Sequence, residues 1–391
     1  MSKDFVMNTY GRYDVVFEKG VGTKIYDEAG KEYLDFVSGV AVNCLGHSHP
    51  AIINALYEQS KKLIHTSNYY WNTQHTQLAE KLIHYSDHSK VFFCNSGTEA
   101  VEGSLKLARK YGKLKAENKN VILYMNNSFH GRSMGALSVT GQPKYQKNFM
   151  PLIGGVKQIE FNNIEDLIHN FDENVCGVII EPIQGEGGIN VAELDFLQTA
   201  RNLCDLYDAV LIFDEIQCGI GRLGNLFAYK EFGIIPDVVA MAKALGGGFP
   251  IGAFMANERT TIGLGQGDHG STYGLNPLGC AVSLAVLNEL IEGGIIDSIA
   301  HKSFYLTERL LNLKEQYGVI EEIRGIGLLL GIVVEDAKTF ANACFEKGLL
   351  VVSAGPDVIR LLPPLNVSIA DIDEALKIIK EVLKMSKVEI S

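Results

Sequence analysis

Two charged side chains stand directly after short apolar runs in this chain. Asp214 follows Ala209–Phe213, and Lys243 follows Val238–Ala242. Continuous apolar runs of about five residues are typical of buried parallel strands, and the carboxyl ends of such strands form the binding edge of an α/β sheet. We therefore expect the carboxylate and the amine to meet at that edge, although either residue alone could cap a helix or lie in a solvated turn.

An acid and a lysine in this arrangement are what pyridoxal phosphate requires. This cofactor is held as a Schiff base on a lysine, while a carboxylate keeps its pyridine nitrogen protonated. Gly246, Gly247 and Gly248 follow shortly after Lys243 and leave room for a ring. The two strand ends therefore predict a pyridoxal phosphate site with Asp214 and Lys243 at its centre.

The segment 91–99 predicts a strand, a turn and a helix start. Ser96 and Glu99 have the spacing of a capping box, which marks a helix N-terminus. Free backbone N–H groups at that end, the small Gly97 and the hydroxyls of Ser96 and Thr98 suit a phosphate. Because capped helices are common, a purely structural role is the alternative.

The loop predicted after the strand 121–124 carries Phe129, His130 and Arg132. An aromatic ring there could stack on a flat cofactor. The planar guanidinium of Arg132 could hold a carboxylate through two parallel hydrogen bonds, which a lysine does less well. The alternative is an ordinary surface loop.

Glu181 and Glu186 lie on a glycine-rich loop that follows the predicted strand 178–180. Arg360 lies inside the apolar segment 358–362, where an unpaired charge would be costly. Arg360 should therefore have an anionic partner. Glu186, a substrate carboxylate and a structural acid are the three possibilities.

Composition excludes several classes of function. The formal net charge of −11 gives no electrostatic footprint for nucleic acid or an anionic membrane surface. The seven cysteines include no C-x-x-C pair, so we expect reduced, mostly buried thiols. His47 and His49 are a poor metal site, and no metal is expected. Without a signal core or a long apolar stretch, a cytoplasmic enzyme is predicted.

The order of apolar runs predicts an α/β protein of two domains. Strand-like runs between residues 91 and 255 alternate with helical patterns, which indicates a mostly parallel sheet flanked by helices. After Gly293–Gly294, helices near 302–317, 339–347 and 371–385 alternate with extended segments at 326–334, 349–352 and 358–362. We expect an N-terminal segment at 1–65 that packs with the small domain, a large cofactor-binding domain at 66–293 and a small α+β domain at 294–391.

Seven ordered stretches, spread over nearly the whole chain, resemble the class III, or ornithine-type, aminotransferases of pyridoxal phosphate fold type I. They are 46–50 (GHSHP), 95–100 (NSGTEA), 128–132 (SFHGR), 181–188 (EPIQGEGG), 213–217 (FDEIQ), 242–248 (AKALGGG) and 270–274 (GSTYG).

The resemblance implies a role for each matched site residue. The cofactor contacts it implies are Lys243 at the Schiff base, Asp214 at the pyridine nitrogen, Gln217 at the phenolic oxygen, Phe129 on the ring, and Gly97 and Thr98 at the phosphate. Thr272 is expected to reach the phosphate of the neighbouring subunit, which implies a homodimer with shared sites. Among substrate contacts, Arg360 resembles the arginine that binds the glutamate α-carboxylate, with Glu186 as its gate. Arg132 resembles the arginine that holds the carboxylate of an acylated ornithine. Ser271 is expected to be a further substrate contact.

The implied reaction moves the terminal amino group of N-acetyl-L-ornithine to 2-oxoglutarate, as in arginine biosynthesis, with ping-pong kinetics. It gives N-acetyl-L-glutamate 5-semialdehyde and L-glutamate. The small Val40, near a position where relatives acting on free ornithine carry tyrosine, favours an acylated substrate. Val101 and Cys218 depart from the usual family residues.

The residues leave other functions open. The same family offers ornithine, succinyldiaminopimelate and 4-aminobutyrate as alternative amino donors. A racemase or aminomutase of this fold would need no keto acid. A non-catalytic homodimeric scaffold would tolerate a damaged cofactor site, whereas both Asp214 and Lys243 are present.

Overall fold

The computed structural model describes residues 5–390. The strands are β1 (Phe17–Val21), β2 (Lys24–Asp27), β3 (Glu32–Asp35), β4 (Lys90–Cys94), β5 (Val121–Met125), β6 (Val156–Ile159), β7 (Val175–Ile180), β8 (Ile183–Gln184), β9 (Asn190–Val191), β10 (Val210–Asp214), β11 (Val238–Met241), β12 (Gly252–Ala256), β13 (Glu322–Ile326), β14 (Leu329–Val333), β15 (Leu349–Leu350), β16 (Val352–Ser353) and β17 (Val358–Leu361).

The helices are α1 (Ser38–Ala41), α2 (Pro50–Ser60), α3 (Thr73–His84), α4 (Gly97–Lys115), α5 (Met134–Ser138), α6 (Pro143–Gln146), α7 (Ile164–His169), α8 (Leu194–Leu206), α9 (Tyr229–Phe232), α10 (Pro277–Ile291), α11 (Ile299–Tyr317), α12 (Ala337–Glu346) and α13 (Ile369–Ile390). Short 3-10 turns lie at Lys243–Leu245, Thr261–Gly263 and Ile296–Ser298.

A seven-stranded sheet in the order β4-β12-β11-β10-β7-β5-β6 forms the centre of the molecule. Among its strands only β12 runs antiparallel to its neighbours. Alternate residues of β10 enter two separate cores, one packed against α8 and the other against α4. Burial on both faces explains the continuous apolar run, and the predicted α/β class with a mostly parallel sheet is confirmed.

The strand pairing brings the predicted acid and lysine to one edge. Asp214 is the last residue of β10 and lies opposite Ala240 of the parallel strand β11. Lys243 begins the 3-10 turn that follows β11. Both side chains therefore leave the sheet at its carboxyl edge, as the apolar runs predicted.

The C-terminal part is built on a second, four-stranded sheet in the order β13-β14-β17-β16. The strand predicted at 326–334 is present as β14, but it begins later, because the chain reverses at Gly327, whose φ of +63° suits glycine. The strand before this reversal, β13, was not predicted and pairs antiparallel with β14. β17, which carries Arg360, pairs with β14 inside this sheet.

The N-terminal strands share a third sheet with a strand from the C-terminal part, in the order β1-β2-β3-β15. The domain limits at residues 65 and 293 remain predictions. All seven cysteines are free and buried, as expected. Within residues 5–390 no single helix is both long and apolar enough to cross a membrane, and one bent pair, Pro277–Ile291 with Ile296–Tyr317, meets those criteria only when joined.

Close backbone contact at Gly141 closes the base of the loop that carries Phe129–Arg132. Gly141 forms a parallel bridge with Asn126, and its N–H donates to the Ser128 hydroxyl at 2.9 Å. A Cβ atom at this position would overlap the carbonyl oxygen of Met125. The loop is therefore held against β5 by a contact that only glycine permits.

Replacing Gly141 with alanine should destabilise the protein by about 1–3 kcal/mol, because the added methyl forces two backbone segments apart. The measurement is urea unfolding followed by circular dichroism. Gly154→Ala is the matched control, since a Cβ there meets nothing within 4 Å. Equal unfolding midpoints for the two variants would show that the contact at Gly141 is dispensable.

Candidate active site

A cavity of about 490 Å³ opens at the carboxyl edge of the large sheet. Its walls come from the ends of β4, β5, β7, β10 and β11 and from the loops that follow them. The lining residues are Val42, Asn95, Ser96, Gly97, Thr98, Phe129, His130, Gly131, Arg132, Glu181, Glu186, Asp214, Ile216, Gln217, Ala242, Lys243, Gly248, Phe249, Pro250 and Ile251. Eight of the residues predicted for the site are among them.

Asp214 is buried at the base of the cavity and is held in one orientation. One carboxylate oxygen accepts the Ile216 N–H at 3.0 Å, and the other lies 2.7 Å from Nδ1 of His130. The backbone of His130 is fixed in turn, because its main-chain N–H donates to the Thr140 hydroxyl at 3.0 Å. A carboxylate oriented in this way can hold a cationic ring nitrogen.

Sequence reasoning gave His130 no role beyond its place in the loop. Its contact with Asp214 joins residues 84 positions apart, and its other ring nitrogen, Nε2, is buried without a partner among residues 5–390. The sequence signal that could have indicated it is a histidine on the loop after one strand, facing an acid at the end of another strand of the same sheet.

Lys243 adopts a left-handed backbone conformation, with φ of +44°. Such strain in a residue that is not glycine is concentrated at functional sites. Loss of hydration in the cavity lowers the pKa of the Lys243 ammonium, although the Glu186 carboxylate opposes the shift. More of the side chain is then a neutral amine near pH 7, which is the nucleophilic and basic form.

The N-terminus of α4 faces the cavity from the side. Ser96 accepts the Glu99 N–H at 3.4 Å and the Glu99 carboxylate accepts the Asn95 N–H at 2.6 Å, so the predicted cap is confirmed. Within the described part of the chain, the N–H groups of Gly97 and Thr98 have no acceptor. Such groups at the start of a long helix form an anion site.

The hydroxyl of Thr98 is positioned by two further residues that the sequence did not reveal. It lies 2.6 Å from the Ser133 hydroxyl, which donates to the Glu102 carboxylate at 2.6 Å. Glu102 also accepts the Gly135 N–H at 2.9 Å. The hydroxyl is thus part of a network that connects α4 to the start of α5.

Phe129 lies on the cavity wall, and Glu181 ties its backbone to the next loop. The buried Glu181 carboxylate accepts the Phe129 N–H at 2.8 Å and the Gly185 N–H at 3.2 Å. Burial raises the pKa of Glu181. This acid therefore connects the backbone of Phe129 to the loop that carries Glu186.

Arg132 is exposed at the mouth of the cavity. Its guanidinium lies over the Tyr145 ring at 3.9 Å and 5.5 Å from the Phe129 ring centroid. Within residues 5–390 it forms no ion pair. An arginine held by aromatic rings with its N–H donors free is suited to an incoming carboxylate.

Arg360 is buried and paired with Glu186, one of the three possible partners. Its Nη1 donates to Glu186 Oε1 at 2.6 Å and its Nη2 to Glu186 Oε2 at 3.0 Å, while Nη1 also donates to Gln217 Oε1 at 3.0 Å. Burial alone would raise the pKa of Glu186, but the Arg360 guanidinium outweighs burial and lowers it. The Arg360 guanidinium is therefore closed, meaning that Glu186 already occupies it. The Arg132 guanidinium is open, meaning that it has no anionic partner within residues 5–390.

Ser271 and Thr272 do not line this cavity. The Ser271 hydroxyl accepts a hydrogen bond from the Asn95 amide at 3.1 Å. Ser271 therefore contacts a residue that lines the cavity but does not line it itself. Thr272 is exposed on the surface. The predicted contacts of Ser271 with substrate and of Thr272 with the phosphate of the neighbouring subunit remain predictions.

The residues present fit pyridoxal phosphate. The cavity has the volume of a cofactor site, the free N–H groups of Gly97 and Thr98 suit the phosphate, and Asp214 suits the pyridinium. The Lys243 amine and the Phe129 ring lie on the same cavity. The unpartnered Nε2 of His130 adds a buried polar atom beside Asp214.

Comparison with known proteins places these features in a family. The family model described as aminotransferase class-III matches residues 6–383. The acetylornithine aminotransferase of Clostridium acetobutylicum is 57% identical over 387 residues, covering 98% of this chain and all of that protein.

Two solved structures have the same fold over nearly the full length. The N-acetylornithine aminotransferase from Stenotrophomonas maltophilia K279a is 37% identical, with a TM-score of 0.85, and the match covers 96% of this chain and 97% of that one. The ornithine aminotransferase from Toxoplasma gondii ME49 is 31% identical, with a TM-score of 0.95, and the match covers 99% and 94%.

The lowered pKa of Lys243 predicts unusual reactivity in protein freed of cofactor. Reductive alkylation with formaldehyde and cyanoborohydride needs the neutral amine, so modification of Lys243 should reach its plateau at lower pH than that of Lys113, a half-exposed lysine on α4. Peptide mapping by mass spectrometry measures both rates in one sample. If Lys243 needs a higher pH than Lys113, the cavity does not favour its neutral amine.

Proposed function

Because the chain belongs to the class-III aminotransferases, we propose that it transfers the terminal amino group of N-acetyl-L-ornithine to 2-oxoglutarate. The products are N-acetyl-L-glutamate 5-semialdehyde and L-glutamate. The proposal is supported by the high identity to an acetylornithine aminotransferase over the whole length. The observation in the site that supports the proposal is that its two arginines differ: Arg132 lies over an aromatic ring and is open, whereas Arg360 is closed by its salt bridge with Glu186.

The enzyme depends on pyridoxal phosphate, which when bound withdraws electrons from the substrate carbon that loses a proton. We assign Lys243 to the covalent attachment, Asp214 to the pyridine nitrogen and Phe129 to the ring face. The Gly97 and Thr98 N–H groups hold the phosphate. Gln217, whose amide already contacts Arg360 and Glu186, is assigned to the phenolic oxygen.

Lys243 is also assigned as the acid and base. Lys243 lines the cavity that the substrate would enter, and its lowered pKa favours the neutral amine, which can accept a proton from the substrate carbon. The resulting ammonium can return that proton. The neighbouring Glu186 carboxylate stabilises the ammonium after the transfer.

The two arginines explain how one cavity accepts two different substrates. N-acetylornithine reacts at its terminal amine and carries one carboxylate, for which Arg132 suffices. 2-Oxoglutarate carries two carboxylates, so the second one must displace Glu186 from Arg360. Because Arg360 would exchange one carboxylate for another, it remains paired throughout.

The surface around Thr272 supports the homodimer that is part of this proposal. Tyr69, Trp71 and Tyr273 are 90%, 86% and 63% exposed. They form one surface, because the Asn68 amide donates to the Ser271 carbonyl at 2.5 Å. Large aromatic patches of this kind mark interaction sites. We assign a second copy of the chain to this surface, which would bring Thr272 to the neighbour's phosphate site. We also propose that the dimer is located in the cytoplasm.

The half-reactions test the proposed function directly. The visible absorption band of the cofactor-loaded enzyme should be lost on adding N-acetylornithine alone and should return on adding 2-oxoglutarate. Ornithine, N-succinyldiaminopimelate and 4-aminobutyrate are compared as alternative donors. If N-acetylornithine leaves the band unchanged while one of these removes it, the substrate assignment is wrong and the family assignment stands.

Arginine variants test the division of labour in the same assay. Arg360→Ala should lower kcat/KM of the 2-oxoglutarate half-reaction by at least ~30-fold, corresponding to about 2 kcal/mol, and affect the N-acetylornithine half-reaction less. Arg132→Ala should impair both. Arg309→Ala, a surface arginine on α11, is the control. Equal losses in the two halves for Arg360→Ala would refute its assignment to the second carboxylate.

A charge placed on the aromatic surface should prevent dimer formation. Trp71→Glu is expected to convert the protein to monomers in light scattering after size exclusion, and to weaken cofactor binding because Thr272 of the second copy is lost. Phe304→Glu, which changes an equally apolar side chain that is 67% exposed on α11, is the control. A Trp71→Glu variant with wild-type mass would place the interface elsewhere.

A further inference from the structure

The turn Ser38–Ala41, labelled α1, is left-handed. The φ angles of its four residues are +51°, +63°, +64° and +62°. Only Gly39 tolerates this region freely, because a Cβ atom in a left-handed turn approaches the following carbonyl oxygen. The strain is greatest at Val40, which is β-branched. Such a turn persists only where the surrounding structure holds it.

Asp35 and His47 hold this turn. Asp35 is buried, and one of its carboxylate oxygens accepts the N–H groups of Val37 and Ser38 at 2.9 and 2.8 Å. Its other oxygen lies 2.7 Å from Nε2 of His47. His47 is itself fixed, since its N–H donates to the Gly22 carbonyl at 2.7 Å. We call Asp35 and His47 the clamp.

The turn borders both the cavity and the loop that carries Glu186. Val42, directly after the turn, lines the cavity. Val40 and Ala41 pack in one apolar cluster with Ile183 and Ile189, which lie on either side of Glu186 in the chain. A change in the turn would therefore alter both the cavity wall and the support of the gate.

Both ends of the turn are also tied to the segment that follows Arg360. The Leu362 N–H donates to the Phe36 carbonyl at 2.7 Å, and the Leu365 N–H donates to the Cys44 carbonyl at 2.7 Å. The cavity wall, the gate and the second arginine therefore form one connected unit. Lys243, Asp214 and the start of α4 lie at the ends of strands of the large sheet instead, and the Cys44 thiol links the two groups by donating to the Ala244 carbonyl at 3.3 Å.

We propose that Asp35 and His47 are positioning residues for substrate binding, because they hold the left-handed turn that shapes the cavity wall beside the Glu186–Arg360 pair. The proposal rests on the proposed aminotransferase function. Neither residue lines the cavity. Loss of the clamp should let the turn relax, which changes substrate affinity and leaves the cofactor contacts in place.

The test measures KM and kcat for both substrates in Asp35→Ala, Asp35→Asn and His47→Ala. Asp35→Ala and His47→Ala should raise KM by ~10-fold or more and change kcat by less than ~3-fold, with the cofactor band unchanged. Asp35→Asn should keep KM close to the wild-type value. The amide oxygen can accept the N–H groups of Val37 and Ser38, and the amide nitrogen can donate to His47.

Asp27→Ala is the matched control. Asp27 accepts the Ala29 and Lys31 N–H groups in the neighbouring hairpin, at 3.0 and 2.9 Å, but does not approach the turn. It should lose stability with KM unchanged. The proposal is overturned if Asp27→Ala raises KM equally, or if the clamp variants lose kcat and stability with KM unchanged. If Asp35→Ala does not fold, His47→Ala decides the question, because it keeps the capped backbone.

The same data separate this proposal from the proposed function. If the wild type does not use N-acetylornithine, the substrate assignment fails, and KM is measured with the donor that it accepts and with 2-oxoglutarate. A raised KM in the clamp variants for those substrates supports the positioning role. An unchanged KM refutes the positioning role whichever donor is used.

Discussion

The parallel pairing of β10 with β11 is the constraint on which the whole site depends. It aligns Asp214 with Ala240, so that the acid and Lys243 leave the sheet together. Both faces of these strands are buried in separate cores. A slip of one residue would exchange the two sets of core side chains, so packing fixes the register. The relative position of the two reactive groups is therefore set by apolar residues that touch neither substrate nor cofactor.

The Arg360–Glu186 pair adds a second constraint of a different kind. A buried guanidinium without an anion is strongly unfavourable, whereas one that exchanges anions remains stabilised. Glu186 supplies the same two-oxygen contact that a substrate carboxylate would supply. In the function we propose, Glu186 therefore occupies Arg360 when no substrate carboxylate is bound there. Specificity then depends on which carboxylate pairs with Arg360.

The sequence predicted those parts of the fold and site that follow from local pattern. β10 and β11 were found because continuous burial leaves a continuous apolar run. β6 was missed because it lies at the sheet edge, with Lys157 and Gln158 exposed. The contacts of His130 with Asp214 and of Asp35 with His47 could not be predicted from pattern, since each depends on how distant loops pack. The resemblance supplied residue roles that periodicity alone could not.

The division of the site between two sheets gives the left-handed turn its significance. The cofactor groups stand on the large sheet, whereas Arg360 lies on β17 of the small one. A relaxed turn would have to move Phe36 or Cys44, and both are hydrogen-bonded to the segment after β17. Any shift of that segment therefore carries the cavity wall with it. Carboxylate recognition and cavity shape must then change together, which is how a strained turn that does not itself line the cavity can influence which substrate binds.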